Sequence, residues 1–353
     1  MQNFECTNCG GKIFFANDFC LKCGSKTAFD PETIAMVSLS PIPETNTYQA
    51  LNGDKNGPVR RYCANAAHNA CNWLAEESSE EGFCAACELN DLIPNLGEPD
   101  SLEAWQDLER AKKRLIYSLL RFGLPTDATH LGKGRLTFNF VRGQMTGHLN
   151  GVITINITEA DSVERERRRQ YFDEPYRSLL GHLRHESGHF YWNVLIEGTD
   201  RIEEFRSLFG DERLDYSQAL ARHHDSGPAE GWQNLFVSAY ASAHPWEDWA
   251  ETWAHYIHMV DAVETAETEG IDPRAAGITF GFKWPFKKYD AYRAESFQSL
   301  QEHWIPLTVA LNRLNRSMGH SDFYAFVTPA GAYKKLAFIH RAIRQSASWT
   351  KPG

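Results

Sequence analysis

Eight cysteines, all within the first 87 residues, constrain this chain more than any other feature. They are Cys6, Cys9, Cys20, Cys23, Cys63, Cys71, Cys84 and Cys87, and the rest of the 353 residues contain none. A disulfide framework belongs to exported proteins. The opening "MQNFECTNCGGK" has no basic stretch leading into an apolar one, so it does not read as a secretory signal. The cysteines therefore read as metal ligands in a cytoplasmic protein. Cys6, Cys9, Cys20 and Cys23 follow C-x2-C-x10-C-x2-C, two tight knuckles that can bring four thiolates to one ion at about 2.3 Å. Cys63, Cys71, Cys84 and Cys87 follow C-x7-C-x12-C-x2-C, with one knuckle only. Here His68 is a candidate stand-in for one thiolate, and iron or a redox pair is the alternative to zinc. The simplest expectation is two structural zinc ions.

This gives an expected domain order. A zinc ribbon spans 1–30, a linker with short extended pieces spans 31–59, and a second four-cysteine module spans 60–95. The linker reading rests on the Pro, Asn, Thr and Gly of "PETIAMVSLSPIPETNTYQALNGDKNGP". A region this small needs metal to hold it. It could dock a protein partner or substrate, or only cap the next domain.

Composition narrows the rest. The chain is 42% hydrophobic and 23% charged, enough to bury a sizeable core. Its net charge of −10 argues against nucleic acid as a general partner, because such proteins present a basic face. The densest basic stretch, "ERERRRQ" (164–170), reads as a solvated helix end. No run approaches the ~18 apolar residues that would span a membrane.

The larger domain is expected over 98–348. "EPDSLEAWQDLERAKKRLIYSLLRFGLP" (98–125) has Ser101 as a cap and an apolar stripe through Leu102, Trp105, Leu108, Leu115 and Leu119. Strands are expected at "RLTFNFV" (135–141) and "GVITINITEA" (151–160), with "GHLNG" (147–151) as a turn. The second strand could be an edge that receives extended peptide, or an ordinary interior strand. Further helices are expected at 296–319 and 332–345. "GITFGFKWPFKKYDAY" (277–292) reads as an aromatic, basic loop over a cleft or over the core. Arg313, Asn315 and Arg316 are weighed as substrate contacts or as plain surface residues.

"EPYRSLLGHLRHESGHFYWNVLI" (174–196) reads as one long helix with Pro175 in its first turn. It carries His185-Glu186-Ser187-Gly188-His189, an HExxH. His185 and His189 lie at i and i+4, so both imidazoles leave one face and can grip one ion. Glu186 is displaced sideways, where it can reach a water and act as a general base. Gly188 leaves room for close approach of a second element. The continuation required by metzincins is excluded, because positions 192 and 195 are Trp192 and Leu195. A hydrolytic zinc needs a third protein ligand. "AYASAHPWEDWAETWAHYIHMV" (239–260) offers Glu247, Glu251, His255 and His258 on one helix face, with His244 just before them.

These residues resemble a known pattern. In gluzincin metallopeptidases a glutamate from a second helix is the third ligand, and an acid four residues later supports a ligating histidine. Glu247 and Glu251 match that layout. "EDWAE" looks most like the anthrax lethal factor type, in which a tyrosine seven residues before the ligand glutamate stabilises the oxyanion. Tyr240 stands at that position, while Asp248 departs from the aromatic found there. The resemblance implies zinc held by His185, His189 and Glu247, with Glu186 as base, Tyr240 as oxyanion donor and Glu251 behind a ligating histidine. Glu247 is preferred to His244, Glu251 or His255 because it leaves an acid to orient a metal-bound imidazole. His255 and His258 then fall to core packing and hydrogen bonding. Over nearly its full length the chain also resembles an uncharacterised bacterial family of zinc metallopeptidases with an N-terminal zinc ribbon, through "RRYCANAAHNACNWL", "HLRHESGHFYW", "EDWAETWAHYIH" and "PLTVALNRLNRSMG".

The expectation is an α+β protein: a zincin-like, gluzincin metallopeptidase domain, mostly helical with a small sheet, behind a cysteine-rich region. It would use one catalytic and two structural zinc ions to hydrolyse a peptide or protein substrate. The alternatives are a silent zinc-binding scaffold and a nucleic-acid-associated protease docking through its ribbons.

Overall fold

In the computed structural model, which describes residues 2–52, 55–76, 79–171, 178–273, 289–326 and 328–346, the segment expected as a linker is built into a sheet. After the ribbon pair β1 (Phe4–Glu5) and β2 (Lys12–Ile13), strands β3 (Lys26–Asp30), β4 (Ala35–Pro41), β5 (Tyr48–Asn52) and β6 (Lys55–Arg60) form an antiparallel meander in chain order. Ala28, Leu39 and Ala50 bury one patch of it against Leu74. Composition misled because Pro31 and Asn46 stand in short turns between real strands, while Asn52, Asn56 and Gly57 lie within β5 and β6. Pro58 is tolerated because β6 is an outer strand, where a missing N–H breaks no ladder.

The backbone of Phe29 in β3 pairs with Asn72 and Leu74, and so joins the second cysteine group to this sheet. Around that junction Phe15, Phe29, Trp73 and Tyr117 pack ring against ring, with Phe29 and Trp73 at 4.5 Å and Phe15 and Phe29 at 5.0 Å. Each such pair adds about 0.5–1.5 kcal/mol beyond its area burial. Strand β7 (Asn90–Leu92) and helix α1 (Ser101–Phe122) come next. The apolar stripe of α1 is buried at Trp105, Leu108, Leu115 and Leu119, all at 0% exposure, whereas Leu102, at the start of the helix, is exposed. The helix expected to open the larger domain is therefore part of the first compact unit, which comprises Met1–Arg121, Thr137–Thr146 and Thr154–Ser162.

Strands β8 (Thr137–Val141), β9 (Gly147–Leu149) and β10 (Val152–Asn156) complete a second sheet in the order β7–β8–β10–β9. Alternation decides their faces: Phe138, Phe140, Ile153 and Ile155 are buried and the residues between them are only partly so. Asn150 and Gly151, both at positive φ, make the two-residue turn between β9 and β10. This corrects two expectations. Gly147–Leu149 is a strand rather than part of the turn, and it is an edge strand, whereas β10 is interior. Residues 157–160 leave the expected strand as a 3₁₀ turn, which the Asn156 side chain caps.

The second unit comprises Phe122–Leu136, Gly147–Ile153 and Val163–Gly353. Its helices are α2 (Ser162–Tyr171), α3 (Leu179–Leu195), α4 (Ile202–Phe209), α5 (Tyr216–Ser226), α6 (Pro245–Glu269), α7 (Phe297–Ser317) and α8 (Ala330–Ser346). The basic stretch in α2 is a solvated helix, with Arg167 on Glu164 and Arg169 on Glu166. Helix α3 starts at Leu179, capped by Ser178, whose hydroxyl accepts from Gly181 N. Pro175, and most of the aromatic segment at 277–292, lie outside the described residues. No helix among the described residues is long and apolar enough to cross a membrane.

The packing of α3 on α6 sets the functional geometry. A Cβ on Gly188 would lie 2.9 Å from Ala250 Cα and 3.2 Å from Trp253 Cδ1, so only glycine permits this approach. Two indole donors then bridge the helices, Trp249 Nε1 to Gly188 O at 2.8 Å and Trp253 Nε1 to Ser187 Oγ at 3.1 Å.

Candidate metal centres

Helix α3 delivers His185 and His189 from one face, and the first turn of α6 delivers Glu247 opposite them. One donor atom from each of the three lies within 4.8 Å of the others. Helix α6 begins at Pro245, with His244 as its cap, and the helix N-terminus favours a carboxylate there. Glu247 Oε2 is 3.0 Å from His185 Nε2, and Oε1 is 3.7 Å from His189 Nε2. Glu251, one turn on, accepts from His185 Nδ1 at 2.7 Å and takes the Ser238 hydroxyl on its other oxygen at 2.6 Å. That contact places the imidazole proton on Nδ1 and leaves Nε2 facing Glu247.

Burial and charge oppose each other in this cluster. Burial works against ionised Glu247 and Glu251, yet the neighbouring imidazoles outweigh it and hold both carboxyls at about 2. Burial also disfavours a charged His185, but its two carboxylate neighbours raise it well above the ordinary histidine range. His189 shows the opposite balance, with burial lowering it to about 3. Without a metal, then, one proton on His185 serves as the cation among two carboxylates.

Glu186 and Tyr240 border the same cluster. The Glu186 charge acts on both Tyr240 and Tyr216, and Tyr240 lies with its ring 6.0 Å from that of His185. Burial raises the Tyr240 phenol far above its usual range, so it stays a donor. Tyr240 sits on a 3₁₀ turn (Tyr240–Ser242) ahead of α6.

The other sequence candidates have different occupations. His244 caps α6 through Trp246 N, and His255 and His258 bond Tyr324 and Arg184. Asp248, the departure from the lethal factor pattern, is fully buried against Lys335 of α8 at 2.5 Å. Asn315 and Arg316 bond Ser321 O and Asp322, and His68 packs on Trp105 rather than joining the cysteines.

The first unit holds two more groups, Cys6/Cys9/Cys20/Cys23 and Cys63/Cys71/Cys84/Cys87. Sulfur–sulfur distances are 3.6 Å for Cys6 and Cys23, 3.8 Å for Cys9 and Cys20, and 3.7 Å for Cys71 and Cys84. Beside the second group, α1 buries Glu109, Lys112 and Lys113. Both ammonium groups bond the Glu109 carboxylate, at 2.8 and 3.0 Å, and Lys113 also donates to Ala70 O.

The family described as "Putative zinc-binding metallo-peptidase" matches residues 101–342. The chain belongs to that family. A zinc-ribbon domain model matches residues 3–98. Similar relatives include uncharacterized proteins of Mycobacterium bovis and of Mycobacterium tuberculosis, each 40% identical over 358 residues, spanning 100% of this chain and 98% of theirs. No solved structure matches.

Zinc, the ion common to both family descriptions, fits the donors. Four thiolates at about 2.3 Å in a tetrahedron stand about 3.8 Å apart, close to the spacings found here and far from a ~2 Å disulfide bond. Burial pushes the Cys71 and Cys84 thiols well up, so they ionise only beside a cation. Four thiolates with one dication would leave surplus negative charge, part of which Lys112 and Lys113 offset after sharing the Glu109 carboxylate. At the His/Glu cluster, buried Glu247 Oε2 faces His185 Nε2 at 3.0 Å without a well-directed hydrogen bond, and a cation there would satisfy both atoms. Sequence reasoning missed Tyr216, Ser238, Lys335 and the Glu109 group. Only the last had a readable signal, three charges at i, i+3 and i+4 among the apolar positions of α1.

Proposed function

We propose that the chain is a zinc-dependent peptidase of gluzincin type, hydrolysing peptide bonds at the cluster of His185, His189 and Glu247. The observation that carries this reading is the contrast in donor number. The cysteine groups offer four donors each, as closed structural sites do, whereas the His/Glu group offers three, as catalytic sites with an open position do. When bound there, zinc would supply Lewis acidity to polarise a carbonyl and activate water at neutral pH. Glu186 takes the proton from the attacking water and passes it to the leaving amine. Tyr240 donates its hydroxyl to the developing oxyanion, as in the lethal factor type. Glu251 holds His185 in the tautomer that exposes Nε2. The short edge strand β9, next to α3, offers a sheet edge to extended peptide.

The test pairs metal counting with cleavage of a peptide library by wild type and Glu186→Gln. The variant should keep three zinc ions per chain and lose about 10²–10⁴-fold in turnover. Full activity in Glu186→Gln would sink the assignment, as would a wild-type chain that cuts nothing.

A further inference from the structure

Helix α5 is almost wholly exposed: of its eleven residues only Ala219 is buried. Its first residue is the exception in direction. Tyr216 is 37% exposed overall, yet its hydroxyl turns inward and donates to Glu247 Oε1 at 2.5 Å. The ring rests 5.2 Å from His244, the cap of α6, and 6.0 Å from Trp246. One phenol thus ties a candidate metal-binding carboxylate to the helix end that carries it.

Resting on the peptidase reading above, we propose that Tyr216 is a positioning residue: its O–H occupies one oxygen of Glu247, so that the carboxylate presents the other. Two observations support the division of labour. Glu247 Oε1 already has its partner, while Oε2 is buried without a well-directed hydrogen bond and faces His185. A carboxylate with both oxygens free could rotate, share the ion between them, or turn toward water. Partners of this kind that hold a metal-binding side chain change metal affinity by about 10–100-fold when removed.

Tyr216→Phe tests this, because phenylalanine keeps the ring against His244 and Trp246 and deletes only the O–H. Zinc alone is the probe, titrated into the full chain with the cysteine groups loaded. The third zinc should bind about 10–100-fold more weakly in Tyr216→Phe. The two zinc ions in the cysteine groups, and the melting temperature with the His/Glu site metal-free, should stay as in wild type. Tyr240→Phe, which leaves the Tyr216–Glu247 bond in place, should keep wild-type zinc affinity. With zinc kept in the cysteine groups and cobalt in the third site, Tyr216→Phe should shift the visible cobalt absorption, a change that mere docking of α5 would not cause. Unchanged affinity and an unchanged cobalt spectrum in Tyr216→Phe would overturn the proposal, as would an equal loss in Tyr240→Phe. A wild-type chain that binds only two zinc ions would instead bring down the peptidase reading itself.

Discussion

The cysteine groups and the His/Glu cluster are built by opposite strategies. Each cysteine group collects its donors from a short stretch of chain and completes a shell of four. The His/Glu cluster takes two donors from α3 and one from α6, and stops at three. In the first case an ion would help to make the fold, because each segment is short by itself. In the second the fold makes the site, because Trp249, Trp253 and Gly188 lock the two helices together independently of any ion. Both regions also bury lysine near the donors, but to different ends. Lys112 and Lys113 would offset part of the surplus thiolate charge, whereas Lys335 neutralises Asp248, the residue next to Glu247.

The sharpest way to break this comparison is to remove one donor from each kind of site. Cys84→Ser should unfold the N-terminal unit, since a structural zinc supplies about 10–16 kcal/mol of apparent folding free energy. His189→Ala should lose one zinc and leave the melting curve nearly in place. Circular dichroism melts with zinc counting would check both, and equal destabilisation by the two variants would erase the distinction.

A smaller effect is expected from Lys335→Met. It strands a fully buried Asp248 and should cost about 3–5 kcal/mol, read by denaturant unfolding. Adding Asp248→Leu should restore much of that loss. If the pair of changes is no better than the single one, Lys335 acts through its contacts with Phe236 and Leu235 O instead.

The smallest effect is a slope. In the metal-free protein His185 is raised well above the usual histidine range, so below that raised value it carries a proton that zinc must displace. His189 stays neutral down to about 3 and Glu247 ionised down to about 2. Only one proton therefore competes between pH 7 and 5, and the third zinc should bind about tenfold more weakly for each unit of acidification. Zinc titration across that range would check it, and a flat profile would mean that His185 is neutral before zinc arrives.

Much of this was readable in the sequence, and for physical reasons. Helices α1, α3, α6, α7 and α8 announce themselves because a buried stripe must recur every three to four residues. The grouping of His185, His189 and Glu247 was legible because helical spacing puts the histidines on one face, and because charged residues on a tryptophan-rich helix need partners. The sheet of 26–60 was not legible: its strands are short and its apolar patch closes only against Leu74 from beyond them. Tyr216 and Ser238 were not legible either. Each acts through one hydroxyl from a helix end or a loop, and a single hydrogen bond leaves no period in the sequence. Lys335 stands 87 residues from Asp248, a distance over which only the folded chain connects them.

The contact at Gly188 has a consequence for anyone who would move this centre elsewhere. Because Gly188 lies between Glu186 and His189 and touches Ala250, three residues past Glu247, the gap between the helices and the gap between the donors are one dimension. Grafting the five residues of the motif onto another helix would transplant the letters without the ruler. The portable object is the crossing itself, glycine on alanine with two indoles clamped across it, and a library that varies those four positions would tune the centre without touching a single donor.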